Sequence, residues 1–532
     1  MFQRHALMVR RQQFVFLLLS TLSAPIASRP AAAVVQVPAN FVNETLATGL
    51  NEPNSFAFLP DGRLLFTEQR TGNVRLFANG HVSATILVTV PSLESAAYER
   101  GLQGVAVDPA WPARPYVYLY YSRTNGFIRL VRYTASGDLS VATGENLLLS
   151  APLLLIDDLP DLTVYHQSGC LRFGPDGMLY VSVGDDDSGY CLAYDPTTLH
   201  GDILRLRVST LPAGGGPQVS RALLAAPGNF FAASPDSNAR LVYAYGMRNP
   251  WRIQVDRVTG IVYGCDVGES DFEEENEIRP GDWLGWPYRE GYKIMIRPSC
   301  PEPGGPGTLA FKAPIAVFGR DTNLHAVVSG GPYEPAVGGS NNWPPAYYAQ
   351  RGDVFYGDYF MGYLRRLSYI GGAWQRAAPV PGQPDDSTWA SGLISSVDFL
   401  VGPDGSLWWM SQFDSTLFGQ TGTLNRIRYV GPTAVPPSAP VAMTLHVAPN
   451  PFHDITRLSF ALASRARARL SIYDVAGRLV RTLWNGEAPA GETRAAWDGE
   501  DARGVRVPPG AYLARLELEG EEPVTARVMR VR

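Results

Sequence analysis

Lysine is almost missing from this chain. Lys293 and Lys312 are the only two among 45 basic residues, so arginine carries nearly all the positive charge. Charged residues make up only 18% of the chain and the formal net charge is −5, with no long basic run, which argues against a nucleic-acid partner. Cysteine is scarce as well: Cys170, Cys191, Cys265 and Cys300 are the only four in 532 residues. None stands in a C-x-x-C spacing, so a structural zinc is not indicated, and a chain this long needs no disulfide scaffold to fold. No long stretch keeps a 3.6-residue apolar period, which excludes a helical architecture. G-x-S-x-G and H-E-x-x-H are both absent, which removes the usual hydrolase signatures. Glycine (53), proline (43) and aromatics (11%) are plentiful, the composition of a folded, turn-rich chain.

The first residues read as an address. Arg4, Arg10 and Arg11 precede the apolar run Phe14–Leu19, then small residues and Ala31-Ala32-Ala33, the order of a secretory signal over residues 1–33. The run is too short to span a bilayer. Export to a secreted, periplasmic or cell-surface location of a bacterium is expected, by a route that Arg10-Arg11 leaves open. Four cysteines suit that compartment, and the expected pairing closes two local loops, Cys170–Cys191 and Cys265–Cys300.

From residue 40 to 430 the sequence alternates strand and tight turn. Leu59-Pro60-Asp61-Gly62, Gly174-Pro175-Asp176-Gly177 and Gly402-Pro403-Asp404-Gly405 each join two apolar runs. Proline presets such a turn, aspartate bonds back to the backbone and glycine takes positive φ. Self-similar all-β units some fifty to eighty residues apart indicate a propeller, and six blades is the expected count. A segment near Glu44–Leu50 is expected to complete the last blade and remove an exposed edge. Residues 431–443 form a Pro-rich linker. Residues 444–532 carry short strands with a turn every ten residues or so, which fits a small β-sandwich. The fold expected is therefore all-β: a six-bladed β-propeller followed by a small Ig-like β-sandwich.

Several motifs then point in one direction. Tyr243-Ala244-Tyr245-Gly246-Met247-Arg248-Asn249-Pro250-Trp251-Arg252 leads to Asp266-Val267-Gly268-Glu269 and Gly285-Trp286-Pro287. His166-Gln167-Ser168-Gly169 stands ahead of the second Pro-Asp-Gly hairpin, and Glu99-Arg100-Gly101-Leu102 and His200-Gly201-Asp202-Ile203 fall in the same order. This pattern resembles the glucose/sorbosone dehydrogenase family, soluble sugar dehydrogenases that use pyrroloquinoline quinone (PQQ) on six-bladed propellers. The Asp-Val-Gly-Glu form and Phe355-Tyr356-Gly357-Asp358-Tyr359 look more like its hedgehog-interacting-protein-like branch. The tail, through Ala448-Pro449-Asn450-Pro451-Phe452 and Trp497-Asp498-Gly499, resembles flagellar-hook-capping-type Ig-like domains, related to type IX secretion sorting modules; a secretion or cell-surface partner is expected there.

The resemblance implies roles residue by residue. His166 matches the general base, and a neutral imidazole suits proton abstraction from a sugar hydroxyl near pH 7. Arg248 and Asn249 match the cofactor-contacting pair, and a planar guanidinium suits a quinone oxygen that gains charge. Glu99 stands where the family places a cofactor-binding glutamine. Gly268 and Glu269 match the backbone oxygens that hold calcium, although most acidic runs such as Asp266–Glu275 are solvated loops. Other positions depart. Tyr333-Glu334-Pro335 replaces a lysine, Ser395-Ser396-Val397-Asp398 replaces a pair of arginines, and Tyr165 replaces an aspartate beside the base. Two functions follow: a PQQ- and calcium-dependent aldose dehydrogenase passing electrons to an external acceptor, or a non-catalytic extracellular propeller that binds carbohydrate or protein. Arg365, Arg366 or another arginine refilling the missing charge would favour the first.

Overall fold

The computed structural model describes residues 34–531 apart from 97, 322, 349–350, 414–420, 432–444, 463–465, 489–490 and 519–522. The expected signal, residues 1–33, lies outside the described residues, as does almost all of the expected linker.

The all-β expectation holds. The longest helix among the described residues is the four-residue Arg221–Leu224. Six antiparallel sheets follow one another along the chain. The first runs Pro53–Phe58, Leu64–Glu68, Asn73–Ala78 and His81–Thr89; the second Leu102–Val107, Tyr116–Ser122, Phe127–Gly137 and Leu147–Pro160. The third contains Ser168–Phe173, Leu179–Val183, Asp202–Leu206 and Val242–Tyr245; the fourth Ile253–Val255, Val262–Asp266, Phe272–Ile278 and Ala316–Gly319. The fifth is built on Val327–Pro332, Val354–Asp358, Tyr363–Ile370 and Ala373–Arg376, with Thr388–Ser391 also paired to its third strand. The sixth takes Ser396–Val401, Leu407–Ser411 and Gly422–Tyr429, and its fourth strand is Phe41–Leu50 from the other end of the chain. The leading strand of each sheet touches that of the next, and that of the sixth touches that of the first. The sheets thus surround a common axis lined by their leading strands.

The hairpins form as their residues demand. Gly62, Gly177 and Gly405 hold φ of +93°, +73° and +86°. In each turn the aspartate accepts the backbone N–H two residues on, from Arg63, Met178 and Ser406 at 3.0–3.1 Å.

Past residue 444, a three-stranded sheet (Leu445–Ala448, Thr456–Leu462, Gly491–Trp497) faces a four-stranded one (Leu479–Ala488, Ala466–Asp474, Gly510–Leu518, Val524–Arg530). Leu458, Phe460, Trp497, Leu470, Ile472 and Leu516 fill the core between them. This part meets the ring through Arg457, whose guanidinium lies 2.5 Å from Asp256, and through Arg494, 4.3 Å over the Tyr348 ring.

The cysteine pairing differs from expectation. Cys191 bonds Cys300, with Cα atoms 5.6 Å apart, while Cys170 and Cys265 are buried and free. Cys170 and Cys265 lie inside strands on either side of the Arg252-Ile253 backbone, where their thiols donate to the carbonyls of Ile253 and Arg252. Strand geometry fixes both there and keeps them from partners in loops. Cys191 lies in the single 3-10 turn Tyr190–Leu192 and Cys300 in a loop, and the two meet across 109 positions.

Candidate active site

His166 ends the loop that enters the third sheet. The hairpin pairs Phe173 with Leu179 and Leu171 with Val181, then shifts register so that Ser168 faces Val183. That extra residue leaves His166 and Ser168 at φ +64° and +52°, a left-handed backbone that costs energy in non-glycine residues. Two supports hold it. Glu99 Oε2 accepts the backbone N–H of His166 (2.9 Å) and of Gln167 (3.2 Å). Gly184 lets the loop pack closely, since a Cβ there would lie 1.9 Å from the His166 carbonyl oxygen.

Across the hairpin, Asp185 is fully buried and its Oδ1 stands 2.6 Å from His166 Nδ1. Its other oxygen accepts the Trp286 indole N–H at 2.7 Å, and Oδ1 also accepts the backbone N–H of Asp187 at 2.8 Å. A carboxylate only accepts, so Nδ1 carries a proton, and in the neutral imidazole the lone pair is then on Nε2. Among the described residues Nε2 has no hydrogen-bond partner, and the side chain keeps 8% of its surface exposed.

Arg248 and Asn249 come from the turn between the third and fourth sheets. Asp266 fixes that turn by accepting the backbone N–H of Arg248 (2.9 Å) and of Asn249 (2.7 Å). Burial, reinforced by the carboxylate of its strand partner Glu274, holds the Asp266 carboxyl well above the usual range. Asn249 links the two halves of the site: its amide donates to Glu99 at 3.1 Å and its oxygen accepts the Ser168 hydroxyl at 2.7 Å. His166, Glu99 and Asn249 therefore share one network, and the Asp185 backbone N–H donates to the Arg248 carbonyl at 2.9 Å.

The acidic stretch divides in two: Glu269 and Ser270 are exposed in a bend, and the glutamates that follow lie in a strand. Glu273, Glu274 and Glu275 are buried strand residues. The Gly268 carbonyl accepts from both Arg248 and Arg320, and the Glu269 carboxylate pairs with Arg297 at 2.7 Å. Glu290 Oε1 gathers the backbone N–H groups of Glu269, Ser270, Asp271 and Phe272 at 2.7–3.1 Å. Two guanidiniums on one carbonyl repel a divalent cation, so the Gly268 oxygen as it stands does not fit the calcium expected at Gly268 and Glu269. Among the described residues no cluster of three or more His, Cys, Asp or Glu side chains is placed to hold a metal.

Neither arginine expected as a replacement reaches this network. Arg366 is bound to Asp353 at 2.7 Å, and Arg365 lies 3.8 Å over the Tyr363 ring. Arg320 and Arg297 gather around the Gly268 loop instead, and Arg297 stacks 4.8 Å over Trp286 on the face of the indole that holds Asp185. Sequence reasoning met Asp185 only as part of a second acidic turn and Asp266 and Trp286 only within motifs, giving none of them a role beside the base, and it passed over Arg297 and Arg320. Counted outward from the Pro-Asp-Gly turn, unbroken hairpin pairing sets Asp186 opposite His166; the register shift between Ser168 and Leu171 brings Asp185 there instead.

Residues 50–299 match the Glucose / Sorbosone dehydrogenase family model, and residues 452–521 match the FlgD Ig-like domain. Quinoprotein glucose dehydrogenase B of Acinetobacter calcoaceticus is 26% identical over 287 residues, 48% of this chain and 54% of that protein. The HIPL1 protein of Arabidopsis thaliana is 33% identical over 147 residues, 26% of this chain and 20% of that protein. The chain thus spans about half the length of the first relative and a fifth of the second. Among solved structures, the PQQ-bound aldose sugar dehydrogenase of Streptomyces coelicolor superposes with a TM-score of 0.52 at 26% identity, covering 74% of this chain and 99% of that one. The apo aldose sugar dehydrogenase of Escherichia coli shares the fold, with a TM-score of 0.54 at 20% identity, over 73% of this chain and 99% of its own.

Proposed function

From a chain whose residues 50–299 carry a glucose/sorbosone dehydrogenase domain, we propose a sugar dehydrogenase that oxidises the C1 hydroxyl of an aldose with PQQ as hydride acceptor and His166 as general base. The observation that carries this reading is the 2.6 Å contact from Asp185 to His166 Nδ1, which leaves Nε2 as a proton acceptor on a strained, buried turn. In this reading the six sheets are the six blades of a propeller and the tail is an Ig-like sandwich. Residues 1–33 direct export, and residues 431–443 link the two folded parts.

This reading gives the reacting edge of the quinone to the Arg248 guanidinium and the Asn249 amide, which stand on one turn and in the free chain donate to the Val267 and Gly268 carbonyls and to Glu99. When bound, PQQ supplies the carbonyl carbon or oxygen that receives the hydride. The chain's own residues do the rest. Nε2 of His166 takes the proton of the C1 hydroxyl as the hydride leaves C1. Asp185 keeps the imidazole in the productive tautomer and stabilises the imidazolium that forms. Trp286, donating to Asp185, fixes the carboxylate that fixes the ring. Calcium has no part in this reading, because two arginines occupy the Gly268 carbonyl it would need.

The test is dye reduction by the purified chain supplied with PQQ and a panel of aldoses. His166→Gln should lower turnover by on the order of 10²–10⁴ with PQQ binding retained. Asp185→Asn, which presents an N–H to Nδ1 and reverses the tautomer, should lower it by roughly 10²-fold or more. Turnover indifferent to both changes would remove His166 as the base. A parent that binds sugar saturably but reduces no dye would establish the non-catalytic carbohydrate binder.

A further inference from the structure

The leading strands assemble a second polar cluster that the His166 network does not use. Arg252, Asp398 and Asn54 are fully buried, and Arg172 and Gln254 nearly so. Arg172 donates to Asp398 Oδ1 and, at 3.1 Å, to Gln254. Arg252 donates from its two terminal nitrogens to the carbonyl of Trp251 (2.8 Å), the carbonyl of Asn54 (2.9 Å) and Asn54 Oδ1 (2.5 Å). Asp398 is already well used: Oδ1 also accepts the Phe399 N–H, and Oδ2 accepts the Ser55 hydroxyl and the Phe56 N–H.

The charges do not balance. Two guanidiniums face one carboxylate. The other ionisable groups facing them are the thiols of Cys170 and Cys265, which burial pushes up and keeps neutral. A buried cation without a full counter-charge is strongly unfavourable. The hydrogen bonds show the same deficit at the same place. Asp398 is 3.7 Å from Arg252 Nε, too far to accept from it, and Arg252 Nε and Asn54 Nδ2 are both buried donors with no acceptor. These two atoms belong to residues that already touch.

We propose that this cluster binds a small monovalent inorganic anion, chloride in solution, between Arg252 Nε and Asn54 Nδ2. A halide only accepts hydrogen bonds, which suits a place where the unused groups are donors. A water molecule would satisfy a donor but leave the charge. The residues are closed to solvent, so the anion is small, not the carboxylate of a substrate. Arg252 stands three positions beyond Asn249, and the bound anion anchors the segment that carries Arg248 and Asn249 from the axial side.

Bromide supplies the direct test. Crystals of the full chain grown or soaked in bromide should show an anomalous peak within hydrogen-bonding reach of both nitrogens. In solution, replacing potassium gluconate by potassium chloride at constant ionic strength should raise the melting temperature saturably by a few degrees, because the anion binds only the folded state. Asn54→Asp supplies the missing carboxylate within the chain and should abolish the halide response while melting no lower than the parent in gluconate. A peak that refines as water, or a melting temperature indifferent to halide in the parent, overturns the proposal, as does a response undiminished in Asn54→Asp. Should that variant fail to fold, diffraction from the parent decides.

Discussion

Glu275 is fully buried and follows two other buried carboxyls, Glu273 and Glu274, so both faces of one strand turn acidic groups inward. Burial pushes the Glu275 carboxyl up to about 8, against the pull of the Ser329 hydroxyl that donates to it at 2.6 Å. In the unfolded chain it titrates near ~4.3. Between those values the folded state holds a proton that the unfolded state has released. This group's contribution to stability is therefore complete below ~4.3, falls as pH rises through that window by at most about 1.4 kcal/mol per pH unit, and is gone above 8. Urea unfolding at pH 5 and pH 8 should show Glu275→Gln gaining on the parent by about 1 kcal/mol or more at the higher pH; parallel profiles would show that Glu275 is ionised when folded. None of this was legible in the sequence, where Asp266–Glu275 reads either as a calcium-binding turn or as a solvated acidic run, because strand pairing and not composition decides what is buried. His166, Arg248 and Asn249 were singled out in the sequence by the resemblance of their motifs to a known family, and the structure brings all three into one neighbourhood. Asp185 was hidden by a one-residue register shift between Ser168 and Leu171.

At the scale of elements, the Pro-Asp-Gly hairpins were readable because everything that makes them lies within five residues. The disulfide was not, because its partners are chosen by what the third and fourth sheets place side by side. Cys191–Cys300 joins the loop after Leu179–Val183 to the segment after Lys293–Ile294, and Tyr190 next to it meets Ser299 at 2.9 Å. Arg297, within the same strap, covers both Tyr190 and Trp286. The bond thereby braces the platform behind Asp185. Replacing Cys191 and Cys300 by alanine should cost about 2–4 kcal/mol of stability, the usual effect of opening a long loop. Thiol titration without reductant should find no reactive cysteine in the native chain and two after denaturation, and peptide mapping should assign those two to Cys170 and Cys265. Reactive Cys191 or Cys300 would contradict the pairing.

At the scale of the whole molecule, the sixth sheet is completed from both ends of the 41–430 region. Phe41–Leu50 pairs antiparallel with Gly422–Tyr429, and Glu44 binds Arg426 and Arg428 at 2.7 Å across the pair. Closure of this kind was expected from the sequence because an unpaired edge strand is a hazard for a chain of sheets. What could not be foreseen is the aromatic lock at its start. The Phe41 ring lies 5.0 Å from Trp343 and Trp389, 5.2 Å from Tyr429 and 5.5 Å from Tyr347, so one residue near the beginning of the described chain plugs a core built by the fifth and sixth sheets. Its edge-on contacts use the ring geometry that aromatic pairs prefer, beyond simple burial. Phe41→Ala empties that volume where four large rings cannot collapse together, so it should cost about 3–5 kcal/mol. If the sheets close into one cooperative ring, the loss should appear as a single unfolding transition of the 41–430 region moved to lower denaturant, with the sites of first proteolytic cleavage unchanged. A variant that instead releases Phe41–Leu50 to protease while the remaining sheets melt where the parent does would show that this strand is a removable strap and not the closure of the ring.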